Sequence, residues 1–335
     1  MYQVNKKNYL FILELFLVII YIVLIQIGIK DFSIWDQITY YLSTDFDMNN
    51  KVLLHLFEES HPHFLRILII YFIYQFSLLL SLDVNLVYNL VLLLFLYMTY
   101  IFIKNIIIDI YGDVKYSILT ILLFYFLLSF FMNGRIIFAI FGNTLLLNAI
   151  FFNTYSIKNK INNFKLIFMI VLSLIMTSVS SGTFMVCLLS ILIFYFLTTV
   201  FSFPFIKKKI FHVEIFIFML IIFFMPLIIR FINKNLDFYD GSFFKMLEHG
   251  FGKYLEVYIY PILIFLFLLP FFLMFGYSLL YNNKYFVLPF SLIISSLFIG
   301  LFGYSSLFSG ISGYILFVAI NFYNTKRIIY CRKKY

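Results

Sequence analysis

The stretch SFFMNGRIIFAI, residues 129–140, sets one guanidinium, Arg135, between two apolar runs. An arginine in that position has two uses. At the edge of a bilayer it snorkels, keeping its stem in hydrocarbon and its head in water. In a cavity that opens sideways it holds a phosphate group, because the planar guanidinium makes two parallel hydrogen bonds to phosphate oxygens.

A second group of polar residues lies upstream, in KDFSIWDQITYYLSTDFDMNNKVLLHLFEESHPHFLR. Asp31, Asp36, Asp45, Asp47, Glu58 and Glu59 give this segment a carboxylate density found nowhere else in the chain. Most such carboxylates simply keep a loop solvated. Asp36 differs, because Trp35, Tyr40 and Tyr41 flank it as aromatic residues flank a membrane interface. A carboxylate among rings is placed to act as a general base toward a hydroxyl group. In HPHFLR, residues 61–66, His61, His63 and Arg66 precede an apolar run. Two histidines two residues apart share a metal only in extended chain, and no spacing fixes a third ligand, so no metal site is assigned. Pro62 marks a helix start, and the flanking side chains are a loop's polar edge or contacts to phosphate and hydroxyl groups.

Two further turns complete the set. In SVSSGTF, residues 178–184, Ser181 and Gly182 let helices approach closely, or present backbone amides to an anion. The segment RFINKNLDFYDGSFFKMLEHGFGKYLE carries Arg230, Asp237, Tyr239, Asp240, Glu248, His249 and Lys253. YDGS is a turn signal, and FFKMLEHGFGKYLE has the pattern of an amphipathic surface helix. Glu248 and His249 are adjacent and face different ways, so they are not read as a catalytic pair.

The elements that must position these residues follow from composition. Hydrophobic residues make up 64% of the 335-residue chain and charged ones 12%. A soluble globule carries about 25% charge, so most of this surface meets lipid. The net charge of +9 is spread in short clusters between apolar runs, which fits membrane orientation and excludes a nucleic-acid face. Cys187 and Cys331 form no loop-placed set that would imply a disulfide framework.

Runs of about 20 apolar residues cross a bilayer as helices. They fall at residues 9–29, 64–82, 84–103, 117–132, 136–155, 166–180, 182–203, 212–232, 255–280, 286–303 and 305–323. The first is too long for a signal-peptide core and no small-residue cleavage site follows it, so it reads as a retained span. No repeat or linker divides the chain, which is expected to be one all-α, polytopic membrane domain over residues 1–335. Lys6 and Lys7 place the N-terminus in the cytoplasm, and the tail KRIIYCRKKY places the C-terminus there too. Eleven spans cannot satisfy both ends. The segment 64–82 carries Arg66 and Gln75 and is separated from the next only by Asp83, so it is expected to lie along the outer surface as a juxtamembrane helix, leaving ten spans (eleven if it crosses). The outer face then collects loop 30–83, the NGR turn, the SSG turn and loop 230–254.

One span, a long acidic outer loop with an early aspartate, a surface helix opened by HPHFLR, and then many spans with short loops resembles the GT-C class of membrane glycosyltransferases. Within that class, MNGRIIFAIFGNTLLLNAIFF at 132–152 followed by LSLIMTSVSSGTFMVCLL at 172–189 is similar to the Wzy/EpsG-type polysaccharide polymerases. The likeness covers roughly the first 200 residues. It implies a site facing away from the cytoplasm of the bacterial inner membrane, where undecaprenyl-diphosphate-linked repeat units are joined into O-antigen or capsular polysaccharide. Its expected catalytic residues are Asp36, His63 and Arg135. Arg66, Arg135, Arg230, His61, Tyr40, Ser181, Gly182, Tyr239 and Asp240 are the expected substrate contacts. The first loop lacks the paired acids of typical members, and cationic stabilisation of a departing diphosphate requires no metal or other cofactor. Expected partners are the lipid-linked glycan, membrane lipid and a chain-length regulator protein. Two other functions share the outline: a GT-C transferase adding one sugar from a polyprenyl-phosphate donor, and a transporter of polysaccharide or lipid-linked glycan.

Overall fold

Apolar segments in hydrocarbon must satisfy their own backbone groups, and a helix does so within one segment. The computed structural model describes residues 64–112, 134–156, 161–200, 284–300 and 304–332, with isolated positions at 19 and between 222 and 245. The described elements are all helical. They are α1 (Phe64–Leu80), α2 (Val84–Tyr111), α3 (Gly134–Thr154), α4 (Asn163–Thr177), α5 (Ser181–Val200), a 3-10 turn (Lys284–Phe286), α6 (Val287–Gly300), α7 (Tyr304–Ser309) and α8 (Ile311–Arg332).

Six expected segments, from 64–82 to 286–303, each correspond to one of the helices α1 to α6. Those at 9–29, 117–132, 212–232 and 255–280 lie outside the described residues, apart from isolated positions, as does most of both outer loops. Two segments differ from expectation. α2 continues past 103 to Tyr111 because its late charges are accommodated: the Lys104 ammonium lies 5.3 Å from the centroid of the Tyr100 ring, and Asp109 accepts a hydrogen bond from Ser156 Oγ at 3.1 Å. The segment expected at 305–323 is two helices, α7 and α8, divided at Gly310.

Stretches of α2, α3 and α5 are long and apolar enough to cross a membrane. Outward-facing side chains tell the same story. On α4 the buried stripe is Leu166, Met169, Ile170, Ser173, Leu174 and Thr177, yet the opposite face shows Phe164, Ile167, Phe168, Val171 and Ile175. A helix apolar on both faces is covered by hydrocarbon on one of them.

α3 occupies the centre. It packs against α2, α4, α5, α6, α7 and α8, and it is buried from Ile136 to Phe151. Its contact with α2 is aromatic, with Phe95 5.1 Å from Phe138 and 4.7 Å from Phe141 between ring centroids. Its contact with α4 is close because of Gly142, where a Cβ would stand 2.9 Å from the Ser173 carbonyl oxygen and from Thr177 Cγ2. Small residues permit this approach where packing, rather than water exclusion, drives helix association.

α1 joins α2 through a tight turn. Ser81 adopts φ 52°, its N–H bonds to Leu78 O at 3.1 Å, and the N–H of Leu82 bonds to Ser77 O at 3.0 Å. This is the paired 5→2 and 6→1 pattern that ends helices at a left-handed residue, normally glycine. Ser81→Gly is therefore expected to stabilise the protein by up to about 1 kcal/mol, read as a higher unfolding temperature in detergent.

Candidate functional site

The NGR turn leads directly into the central helix. Gly134 and Arg135 are the first two residues of α3, so the Arg135 backbone lies in a turn whose amides have no intrahelical partner and whose dipole favours an anion. The Arg135 side chain lies outside the described residues, as do Asp36, Tyr40, His61, His63, Arg230, Tyr239 and Asp240. Arg66 is in the first turn of α1, 4% exposed and engaged by a partner, as a guanidinium in an apolar helix must be.

Ser181 and Gly182 open α5. The turn that joins it to α4 is closed by the Thr183 hydroxyl, which donates to Thr177 O at 2.5 Å and Ser180 O at 2.8 Å, and by the N–H of Phe184 to Ser180 O at 3.0 Å. A Cβ on Gly182 would collide with Ser306 Oγ of α7, so this glycine seats α5 directly on the short helix. α7 in turn is tied to α3, for Asn143 Nδ2 donates to Ser309 O at 3.0 Å. α7 thus joins the start of α5 to α3, the helix that Arg135 opens, whereas α1, with Arg66, packs on α2.

Two polar arrangements were not singled out from the sequence. On α3, Asn143 and Asn148 lie five residues apart inside an apolar run, and Asn148 Nδ2 donates to Phe102 O of α2 at 3.2 Å. The two amides were the available signal, but nothing in the run names their partners. Asn143 is nine residues, about 13 Å, from the start of a helix about 31 Å long, so it stands near half-depth. At the far end of α3, Tyr155 and Tyr285 meet edge to face with centroids 5.6 Å apart, beside Asp109 and Ser156. The Tyr155 hydroxyl is buried without a hydrogen-bond partner among the described residues. This cluster stands at the opposite end of α3 from Arg135.

Among the described residues no three His, Cys, Asp or Glu side chains are placed to hold a metal. No family, curated protein or solved structure matches the chain. The class that stands on fold alone is a helical protein with helices long and apolar enough to span a membrane.

Two outcomes follow. Gly182→Ala is expected to destabilise the protein by roughly 1–3 kcal/mol through overpacking, and Ser306→Ala in the same chain to restore most of it, because the Ser306 Cβ itself would be 3.6 Å away; thermal unfolding of the three variants tests this. Burial, and secondarily the neighbouring Asp109, raises the Tyr285 phenol above its ordinary value near 10. Below pH about 10 this phenol is neutral whether the chain is folded or unfolded; above it the unfolded state sheds its proton first, so stability falls as pH rises. Tyr285→Phe should flatten that alkaline decline in unfolding temperature between pH about 10 and 11.

Proposed function

We propose that the protein polymerises undecaprenyl-diphosphate-linked oligosaccharide repeat units into O-antigen or capsular polysaccharide at the outer face of the bacterial inner membrane, as a GT-C-like enzyme of about ten spans with both termini cytoplasmic. The observation that supports this reading most is the position of NGR: Arg135 opens the helix on which six others pack. A cationic residue in the first turn of such a helix, whose amides have no intrahelical partner, suits a diphosphate.

Arg135 and Arg230 hold the donor diphosphate, with Arg66 or His63 assisting. Asp36 orients the acceptor hydroxyl and takes its proton as the oxygen attacks the anomeric carbon. The bond from that carbon to the diphosphate oxygen breaks, and undecaprenyl diphosphate leaves with the electron pair. Tyr40, His61, Ser181, Gly182, Tyr239 and Asp240 line the glycan side. The largest contribution comes from cations already placed where negative charge develops, so loss of one is expected to slow transfer by ~10²–10³-fold.

One observation favours a second reading. The last span is broken at a buried glycine beside a buried asparagine, the form that binding sites of transporters take near the bilayer midplane. The two readings separate in a host lacking the gene and complemented with wild type or Arg135→Ala at equal membrane levels. Polymerisation predicts loss of the polysaccharide ladder with a single repeat unit retained, rescued by wild type alone. Transport predicts that the surface repeat unit disappears as well, and a ladder whose rungs all shift by one sugar marks a single-sugar transferase.

A further inference from the structure

The break between α7 and α8 leaves buried polar atoms unmatched. The Gly310 N–H bonds to Leu307 O at 3.3 Å, three residues back, and the next turn is closed by the N–H of Tyr314 to Gly310 O at 3.2 Å. The first amides of α8 are therefore end groups of a 22-residue helix. They do not meet water, since Ile311, Ser312 and Gly313 are all buried.

Two buried side-chain oxygens belong to residues at the break, Asn143 through its bond to Ser309 O and Ser312 through its place in the first turn of α8. Asn143 is 0% exposed, and its orientation is forced because Ser309 O can only accept, so Nδ2 points to that carbonyl and Oδ1 to the other side. Oδ1 has no hydrogen-bond partner among the described residues. Ser312, also 0% exposed, has a hydroxyl with no partner among the described residues. Four other buried serines of this seam bond back to their own helix: Ser291 to Leu288 O, Ser295 to Ser291 O, Ser296 to Ile293 O and Ser309 to Ser306 O. Ser312 does not. Ser309 and Ser312 flank the break three residues apart, and both α7 and α8 pack on α3.

We propose that a single water molecule is bound at this break, near the middle of the membrane, donating to Asn143 Oδ1 and exchanging a hydrogen bond with Ser312 Oγ while accepting from a first-turn amide of α8. Three partners of mixed donor and acceptor character are what an internal water makes. A monovalent cation requires oxygens only and more of them, and the α8 amides present the wrong sign to it. The water supplies the hydrogen bonds that the interrupted ladder lacks, so the last span keeps a break without orphaned groups.

A structure of the full chain in lipid, at a resolution that shows other internal waters, tests this directly. One density peak within hydrogen-bond distance of both Asn143 Oδ1 and Ser312 Oγ is expected, and its disappearance in Ser312→Ala; an empty break in wild type overturns the proposal. Unfolding temperatures give an independent reading. Replacing NaCl by choline chloride should leave the value unchanged, whereas a drop identifies a cation and overturns the assignment to water. Asn143→Leu and Ser312→Ala should be less than additive in the double variant, while Ser295→Ala, whose hydroxyl is already bonded, should add to Asn143→Leu independently. Full additivity of the first pair also overturns it.

Discussion

A helix enclosed by protein on every side has no solvent to satisfy what its side chains leave unpaired. α3 is such a helix, and its two asparagines decide where its neighbours stand. Asn148 reaches the backbone of α2 and Asn143 reaches that of α7. Each uses a main-chain carbonyl, an acceptor that every residue of a partner helix offers, so register is set by the glycines that bring the backbones near. Gly142 admits α4, and Gly182 seats α5 on α7. In hydrocarbon, where burying apolar area between helices gains little, such polar and close-packed contacts hold helices together.

The bundle has two unlike ends. At the starts of α3 and α5 the chain offers small residues and helix amides, and Arg135 in its sequence; around Tyr155, Tyr285 and Asp109 it offers phenols and a carboxylate in an aromatic cluster. The proposed chemistry belongs to the first end, because a diphosphate seeks positive charge and free N–H groups. The second end is built for closure, with Phe151, Phe194 and Tyr285 around Tyr155.

How much was legible in the sequence depends on the kind of signal. Hydropathy located α1 to α6 because each is an apolar run bounded by polar residues. It overlooked the division of the last span, since TM-length apolarity over 305–323 hides a break whose only trace is the run SSLFSGISG, where small residues could equally mean close packing. It stopped α2 short at Lys104, since a lysine counts against a span until Tyr100 is seen beneath it. The Asn143 and Asn148 amides were visible as residues, but their partners are set by three-dimensional approach. Of the expected site, the start of α3, Arg66 and the Ser181–Gly182 turn have been placed by the fold.

The separation of Asn143 from its partner has a consequence for assembly. Asn148 pairs with a carbonyl 46 residues earlier, already made when α3 leaves the ribosome, whereas the acceptor of Asn143 lies 166 residues later. At roughly 5–20 residues per second, the central helix waits on the order of ten to thirty seconds with one amide unmatched in the membrane. Until α7 arrives, α3 is an incomplete surface that must be shielded by other spans or by the insertion machinery.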